Sequence, residues 1–328
     1  MADVDSAIRE FMTFNEFSKP NAAILSQILL TPAVKLSLQL RALYFCRDLE
    51  NADRSSILTR ALDVHRDAFL RHEIAYVMGQ AGCNDATDVL IALLEDVRED
   101  PMAAEAIAAL GEKQCVDLMR KYENDECVVV RDTCRLALHS LLYGSSEGNM
   151  ETVPICSCVS APISTSAYRA VDPVPCSATP ETENSLYALA ATLHDESQEL
   201  YKRYEALFKI RNKGDDIAAS VIGEALLRDK VSEVFRHECA FVLGQMQCLA
   251  AVEALVKALA DNDEKPIVRH EAALALGSCA STCDDDSQRL AIIKELQRYL
   301  NDPVKVVADS CLVALDVIEE ALSQGKHA

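Results

Sequence analysis

Three of the seven histidines in this 328-residue chain are directly preceded by arginine and directly followed by glutamate. The pairs are His72-Glu73, His237-Glu238 and His270-Glu271. Neighbouring positions on an α-helix are separated by about 100°, so one pair can present a nitrogen and an oxygen ligand to the same face. Imidazole and carboxylate ligands with open positions suit iron and its reactions with dioxygen. The pairs therefore predict an iron site.

A packing role is the alternative interpretation of each His-Glu pair. In stacked helical repeats, charged side chains at fixed positions form hydrogen bonds between neighbouring hairpins. For a single pair this interpretation is favoured, whereas three pairs in the same register of a repeat favour metal ligation. The glycine seven positions after each histidine has a packing role, because a small residue two turns on lets helices approach closely. These glycines are Gly79, Gly244 and Gly277.

The sequence that surrounds the pairs recurs along the chain. Residues 40–48 match residues 204–212 at an offset of 164, and residues 69–80 match residues 234–245 at an offset of 165. Within the second half, the His-Glu pair recurs after 33 residues. A period in the thirties with helical patterning indicates stacked hairpins of the HEAT type, here about four in each half. We therefore predict an all-α HEAT-repeat solenoid, an α-α superhelix, in two pseudo-symmetric lobes.

A segment rich in serine, threonine and proline separates the two matching halves. It begins with the run Gly144-Ser145-Ser146-Glu147-Gly148-Asn149 and contains five prolines. Such a composition is typical of flexible linkers. The predicted domains are an N-terminal lobe of residues 1–143, a flexible linker of residues 144–186 and a C-terminal lobe of residues 187–328.

The composition limits the partners and the compartment. The formal net charge is −20, whereas nucleic-acid binding needs a basic surface that displaces counterions. An acidic surface suits a basic partner, although acidity also serves solubility alone. No stretch approaches the roughly 18 apolar residues of a membrane helix, and the acidic N-terminus has no signal-peptide pattern. We expect a cytoplasmic protein that binds neither nucleic acid nor membrane, with its thirteen cysteines reduced.

Two motifs in combination connect the chain to a known family. They are Leu70-Arg71-His72-Glu73 with Gly79-Gln80, and Val268-Arg269-His270-Glu271 with Leu276-Gly277. With the duplicated lobes, they resemble the deoxyhypusine hydroxylase family over nearly the whole chain outside the linker. The resemblance implies two Fe²⁺ ions between the lobes, dioxygen as co-substrate, and hydroxylation of the deoxyhypusine side chain of translation initiation factor 5A to hypusine.

The same resemblance implies a role for each His-Glu pair. In the family, each iron takes two histidines from one lobe and a glutamate from the other. Carried over, one site is complete with His237, His270 and Glu73, whereas the other keeps His72 and Glu238. Glu271 is implied as the catalytic residue that contributes to the substrate pocket, beside its place in the metal-binding pairs.

The family plan has a fourth His-Glu pair, and the first lobe lacks it. Aligning Pro101-Met102 with Pro266-Ile267, and Ala103-Ala104 with Ala272-Ala273, leaves a gap of four residues that corresponds to Val-Arg-His-Glu. A deletion of four residues removes near one full turn of helix. Glu105 aligns with Leu274 and is not the missing ligand, while Glu99 and Asp100 remain as weak substitutes. We therefore predict one strong and one weak iron site.

Three interpretations of this gap stay open. The chain is a deoxyhypusine monooxygenase whose activity is reduced or lost, or a HEAT-repeat scaffold that binds the same basic partner without catalysis. In the third, the four residues are missing only from the gene prediction.

Overall fold

The computed structural model describes residues 2–14, 21–96, 102–143, 170–174 and 185–325. Among these residues the regular structure is helical, with no strand. None of the helices in the described part is both long and apolar enough to cross a membrane. The chain forms two compact units, residues 1–164 and residues 165–328, which we call the N-terminal and the C-terminal unit.

In the N-terminal unit, nine described α-helices form one leading helix and four hairpins. The leading helix is α1 (Ala2–Phe11). The hairpins are α2 (Ala22–Leu29) with α3 (Leu36–Cys46), α4 (Asn51–Val64) with α5 (Ala68–Gln80), α6 (Thr87–Glu95) with α7 (Met102–Ala109), and α8 (Val116–Tyr122) with α9 (Val128–Tyr143). The second helix of each hairpin packs against the second helix of the next.

In the C-terminal unit, eight described α-helices form four hairpins. They are α10 (Leu186–His194) with α11 (Leu200–Arg211), α12 (Asp216–Arg228) with α13 (Glu233–Met246), α14 (Val252–Ala260) with α15 (Pro266–Ser281), and α16 (Asp286–Arg298) with α17 (Lys305–Gly325). Helices α11, α13, α15 and α17 stack in sequence. The prediction of an all-α HEAT-repeat solenoid with four hairpins per lobe is confirmed.

Local sequence explains where the helices that carry the His-Glu pairs begin. Asp67 caps α5 by accepting a hydrogen bond from the backbone N–H of Leu70. Ser232 caps α13 in the same way through Phe235 N, and Pro266 is the first residue of α15. Cap side chains satisfy backbone donors that a helix start leaves unpaired, and proline lacks the N–H that would be unpaired there.

Glycines set the spacing between the stacked second helices. A Cβ at Gly244 would lie 3.1 Å from both Cα and Cβ of Ala275. A Cβ at Gly277 would lie 2.8 Å from Cβ of Ala314. In the N-terminal unit, a Cβ at Gly79 would lie 2.6 Å from Cα of Ala106. The packing role predicted for these glycines agrees with this geometry.

The same contacts locate the four-residue gap in three dimensions. Gly79 and Gly244 are 165 positions apart, whereas their partners Ala106 and Ala275 are 169 positions apart. The sequence of α7 is therefore shifted by four residues relative to that of α15, although both helices make the same crossing. Since four residues are close to one turn, the apolar face of the helix is kept. Met102 then takes the register position of Glu271, because each lies four residues before the alanine at the crossing.

Buried ion pairs connect the hairpins of the C-terminal unit. Asp229 forms ion pairs with Arg203 (2.8 Å) and with Arg236 (3.3 Å), and Arg236 also pairs with Glu264 at 2.7 Å. Further along, Arg269 pairs with Asp302 at 2.6 Å, and both side chains are buried.

Part of the predicted linker packs on the C-terminal unit. Both carboxylate oxygens of Asp172 accept hydrogen bonds from the guanidinium of Arg211, each at 2.7 Å, and Arg211 is fully buried. Val174 is buried as well. Residues 144–169 and 175–184 lie outside the described residues, so the limits of the lobes and the flexibility of the linker stay predictions.

Candidate metal centre

Helices α13 and α15 bring His237, His270 and Glu271 together inside the C-terminal unit. The two imidazole rings are stacked, with centroids 5.6 Å apart and an interplanar angle of 25°. All three residues are buried. The crossing at Gly244 and Ala275 produces this juxtaposition, because it holds the two helices close one turn beyond Glu271.

The polar atoms of this cluster converge on one small volume. Glu271 Oε2 lies 3.5 Å from His237 Nε2 and 3.6 Å from His270 Nε2. Ligand nitrogens of the two histidines lie within 4.8 Å of each other. These separations are long for hydrogen bonds. Two ligands that each lie about 2 Å from one ion stand roughly 3–4 Å apart, so the three groups fit a shared divalent metal.

The second ring nitrogen of one of the two imidazoles faces a hydroxyl. Ser310 on α17 places its Oγ 3.3 Å from His270 Nδ1, on the opposite side of the ring from Glu271. Metal-binding histidines are usually held through their second ring nitrogen in this manner.

In the N-terminal unit, α5 carries His72 and Glu73. Glu73 is buried, whereas His72 is half-buried. The phenol of Tyr44 on α3 donates a hydrogen bond of 2.6 Å to Glu73 Oε2. At the repeat offset of 164, the C-terminal unit has Phe208 in place of Tyr44, so its counterpart Glu238, also buried, has no phenol at that position.

The position of the missing fourth pair is occupied by an apolar side chain. Met102 is buried and takes the register position of Glu271, as the Gly79–Ala106 crossing indicates. Glu105 is half-buried, three residues further along α7. Glu99 and Asp100, the substitutes considered from the sequence, lie outside the described residues.

The five cysteines of the described α-helices are buried, and burial favours the neutral thiol. Burial raises the pKa of the Cys46, Cys134, Cys279 and Cys311 thiols to about 12. Burial also raises the pKa of Cys239, next to Glu238, well above its usual value. The cluster of His237, His270 and Glu271 contains no cysteine, so its candidate ligands are nitrogen and oxygen atoms.

Sequence reasoning missed two residues of this centre, Tyr44 and Ser310. The repeat alignment contained a signal for each, because Tyr44 replaces Phe208 and Ser310 corresponds to Thr133 in the N-terminal unit. Both signals are differences between repeats, whereas the His-Glu motif is a residue pair that recurs.

The fold and this centre define a class: an α-helical repeat protein with a buried histidine and carboxylate cluster. Two family models match the chain, HEAT repeats over residues 220–316 and the PBS lyase HEAT-like repeat over residues 70–96.

Curated relatives match far more of the chain than these repeat models do. Deoxyhypusine hydroxylase of Bos taurus is 38% identical and that of Homo sapiens 36%, covering 89% and 90% of both chains respectively. The Plasmodium vivax enzyme of the same name is 40% identical over 87% of each chain. The structure of human deoxyhypusine hydroxylase in complex with glycerol superposes with a TM-score of 0.78 and 34% identity, covering 91% of this chain and 96% of that one. This chain belongs to the deoxyhypusine hydroxylase family.

Proposed function

We propose that this chain is a deoxyhypusine hydroxylase that uses Fe²⁺ and dioxygen to hydroxylate the deoxyhypusine side chain of translation initiation factor 5A. The family membership supports the reaction. The observation that carries the proposal is the buried cluster of His237, His270 and Glu271, whose donor atoms are spaced for a common divalent ion. Fe²⁺ accepts such a mixed set of imidazole and carboxylate ligands.

The proposed ligand sets follow the family plan. His237 and His270 hold the first iron with Glu73, while His72 and Glu238 contribute to the second. Iron, when bound, supplies the activation of dioxygen that hydroxylation requires. Tyr44 holds Glu73 in one orientation through the 2.6 Å hydrogen bond, so the carboxylate loses less conformational freedom when it binds iron.

Glu271 is proposed to hold the substrate as well as to border the metal. Deoxyhypusine is a long side chain with cationic amines, and a buried carboxylate attracts and orients such an amine. Since Glu271 Oε2 lies 3.5–3.6 Å from both imidazoles, an amine bound to this carboxylate is held beside the first iron. The excess of 52 acidic over 32 basic residues favours encounter with a cationic substrate.

The second iron is proposed to bind weakly. Met102 takes the register position of Glu271, so the missing second histidine corresponds to Pro101, which has no metal-binding side chain. The second candidate function, a scaffold that binds the same partner without catalysis, rests on this loss of ligands. The intact cluster of the C-terminal unit favours the enzyme.

A cytoplasmic location is part of the proposal. The ten cysteines among the described residues are free thiols, most of them buried. Free thiols persist in reducing compartments such as the cytoplasm.

The test compares this chain with a variant in which Val-Arg-His-Glu is inserted after Met102. Iron bound per chain and hydroxylation of the deoxyhypusine-bearing factor are measured in parallel. We expect about one iron per chain before insertion and about two after it, with a higher rate of hydroxylation.

An insertion of Val-Arg-Ala-Ala is the matched control, because it restores the same helix length without the ligands. It should leave the iron content unchanged. Two irons and full activity without any insertion would contradict the weak second site. Iron without hydroxylation in every form would favour the scaffold.

A further inference from the structure

We infer that Ser310 is a positioning residue that keeps the imidazole proton of His270 on Nδ1, so that the lone pair of Nε2 faces the metal position. The inference rests on the proposed function for the identity of the ligand. It assigns a separate role to a residue outside the His-Glu pairs.

The hydrogen bonds of Ser310 define its chemical role. Ser310 is fully buried on α17, and its hydroxyl donates to the backbone carbonyl of Val306, one turn earlier, at 2.7 Å. A hydroxyl has a single proton, so Oγ has only acceptor capacity left. His270 Nδ1, at 3.3 Å from Oγ, must therefore be the donor of the bond between them.

The tautomer of His270 follows from this donor assignment. In neutral imidazole, one nitrogen carries the proton and the other the lone pair. With the proton on Nδ1, the lone pair is on Nε2, the atom that lies 3.6 Å from Glu271 Oε2. A divalent metal binds the neutral ring through its lone pair, and a fixed partner on the other nitrogen raises affinity by removing the alternative tautomer.

Helix packing explains why Ser310 occupies this place. Helices α15 and α17 cross where Gly277 meets Ala314, and Ser310 lies four residues before that alanine. Glu271 lies four residues before Ala275 at the preceding crossing, and it faces His237. The residue four positions before the alanine therefore faces the histidine of the preceding second helix. On α15 this residue is Glu271, whose carboxylate faces His237, and on α17 it is Ser310, whose hydroxyl faces His270. On α17, where the stack ends, the hydroxyl acts on the ligand rather than on the metal.

The N-terminal unit supplies a matched control. Thr133 on α9 is buried and donates to the backbone carbonyl of Val129 at 2.8 Å, as Ser310 does to that of Val306. The surrounding sequences, residues 129–138 and residues 306–315, align without a gap. Helix α7, which packs against α9, lacks the His-Glu pair, so no such imidazole faces the hydroxyl of Thr133 from that helix.

The test uses the full chain in three variants: Ser310→Ala, Ser310→Thr and Thr133→Val. The first readout is the tautomer of His270 in the metal-free protein, from ¹⁵N NMR of labelled imidazoles with His270→Gln to assign the signal. The second is the affinity for Fe²⁺ by anaerobic titration. We expect Ser310→Ala to give a mixed tautomer and to lower Fe²⁺ affinity by roughly 10–100-fold.

The other two variants separate positioning from packing. Ser310→Thr keeps a hydroxyl at the same place and should retain both the tautomer and the affinity, while Thr133→Val should change neither. An unchanged tautomer in Ser310→Ala would overturn the inference, as would an equal loss of affinity in Thr133→Val. If the unaltered chain bound no iron, the proposed function would fail, whereas the metal-free tautomer would still decide the role of Ser310.

Discussion

The N-terminal and C-terminal units share one plan of four helical hairpins, yet among the described residues only the C-terminal unit holds two His-Glu histidines on second helices that pack against each other. Helix α15 carries Arg269, His270 and Glu271 in successive positions, and α7 carries none of these residue types at the matching place. The Gly79–Ala106 crossing is nevertheless kept. Helix packing therefore does not depend on the metal ligands here, because a loss of one helical turn preserves the buried face of α7 while it removes a whole set of ligands.

The loss also removes an ion pair between hairpins. In the C-terminal unit, Arg269 connects the backbone carbonyl of Leu259 to the carboxylate of Asp302. In the N-terminal unit the matching acid, Asp125, accepts from the backbone N–H of Cys127 at 2.8 Å, as Asp302 does from that of Val304 at 2.9 Å. The two acids therefore share a hydrogen bond within the turn before the helix and differ in the buried arginine.

The largest expected effect concerns this pair of acids. Asp302→Ala should lower the free energy of unfolding by about 3–5 kcal/mol, because it leaves the buried guanidinium of Arg269 without its carboxylate. Asp125→Ala should lower it by only about 1 kcal/mol, the usual net value of one lost hydrogen bond. Urea denaturation of both variants measures the difference. Equal losses would show that Arg269 contributes nothing specific to the C-terminal unit.

A second prediction concerns the phenol that only the N-terminal unit has. Tyr44→Phe gives that unit the residue found at the matching position 208, so we expect the fold to be kept. The affinity for Fe²⁺ should fall by roughly 10–100-fold, because Glu73 loses the hydrogen bond that orients it.

Tyr187→Phe is the control for this change, since Tyr187 is 87% exposed on α10. Anaerobic titration of both variants gives the two affinities. An affinity in Tyr44→Phe equal to that of the control would remove Tyr44 from the metal centre.

A third prediction tests the shifted register of α7. Gly79→Ala places a Cβ 2.6 Å from Cα of Ala106, so it should cost about 1–3 kcal/mol by overpacking. Combining it with Ala106→Gly should show a favourable coupling of about 1 kcal/mol in a double-mutant cycle. The same cycle with Ala104→Gly should show no coupling, because residue 104 lies about 200° around the helix from residue 106. Coupling to Leu110, which lies 165 positions before Ala275 and would meet Gly79 without the shift, in place of Ala106 would reject the four-residue shift.

The smallest effect is the pH dependence of the Asp302–Arg269 pair. Burial acts to raise the pKa of Asp302, but the hydrogen bonds from Arg269 and from Val304 N outweigh it and hold the pKa below its usual value. A lowered carboxyl pKa contributes stability that is full above the unfolded value of about 3.9 and is lost as the pH falls through the folded value. The difference in unfolding free energy between the unaltered chain and Asp302→Asn should therefore shrink below about pH 4. Acid titration of both forms checks this, and a constant difference would contradict it.

Much of the fold was predictable because it repeats. The offset of 164–165 residues and the period of 33 residues identified stacked hairpins, and the glycines after each histidine identified the crossings. The alignment gap around Ala103 also had a structural meaning, since the partner of Gly79 is shifted by four positions relative to the partner of Gly244. These features depend on local sequence and on periodic burial, which a single chain reveals.

The contacts that orient the ligands were not predictable in the same way. Tyr44 and Glu73 are 29 residues apart, and Ser310 and His270 are 40 residues apart, so each contact depends on how two helices cross. Composition was also a poor guide to Asp172, which lies in a proline-rich segment yet pairs with the buried Arg211. Side-chain contacts between distant elements have no periodic signature along the chain.

We propose that the C-terminal unit provides a complete pair of histidines for iron, which the described residues of the N-terminal unit do not. The most direct measurement is an anaerobic Fe²⁺ titration of the unaltered chain beside His270→Ala and His72→Ala. We expect one tightly bound iron per chain, lost in His270→Ala and retained in His72→Ala. Two equally tight irons in the unaltered chain, or an equal loss of iron in both variants, would contradict it.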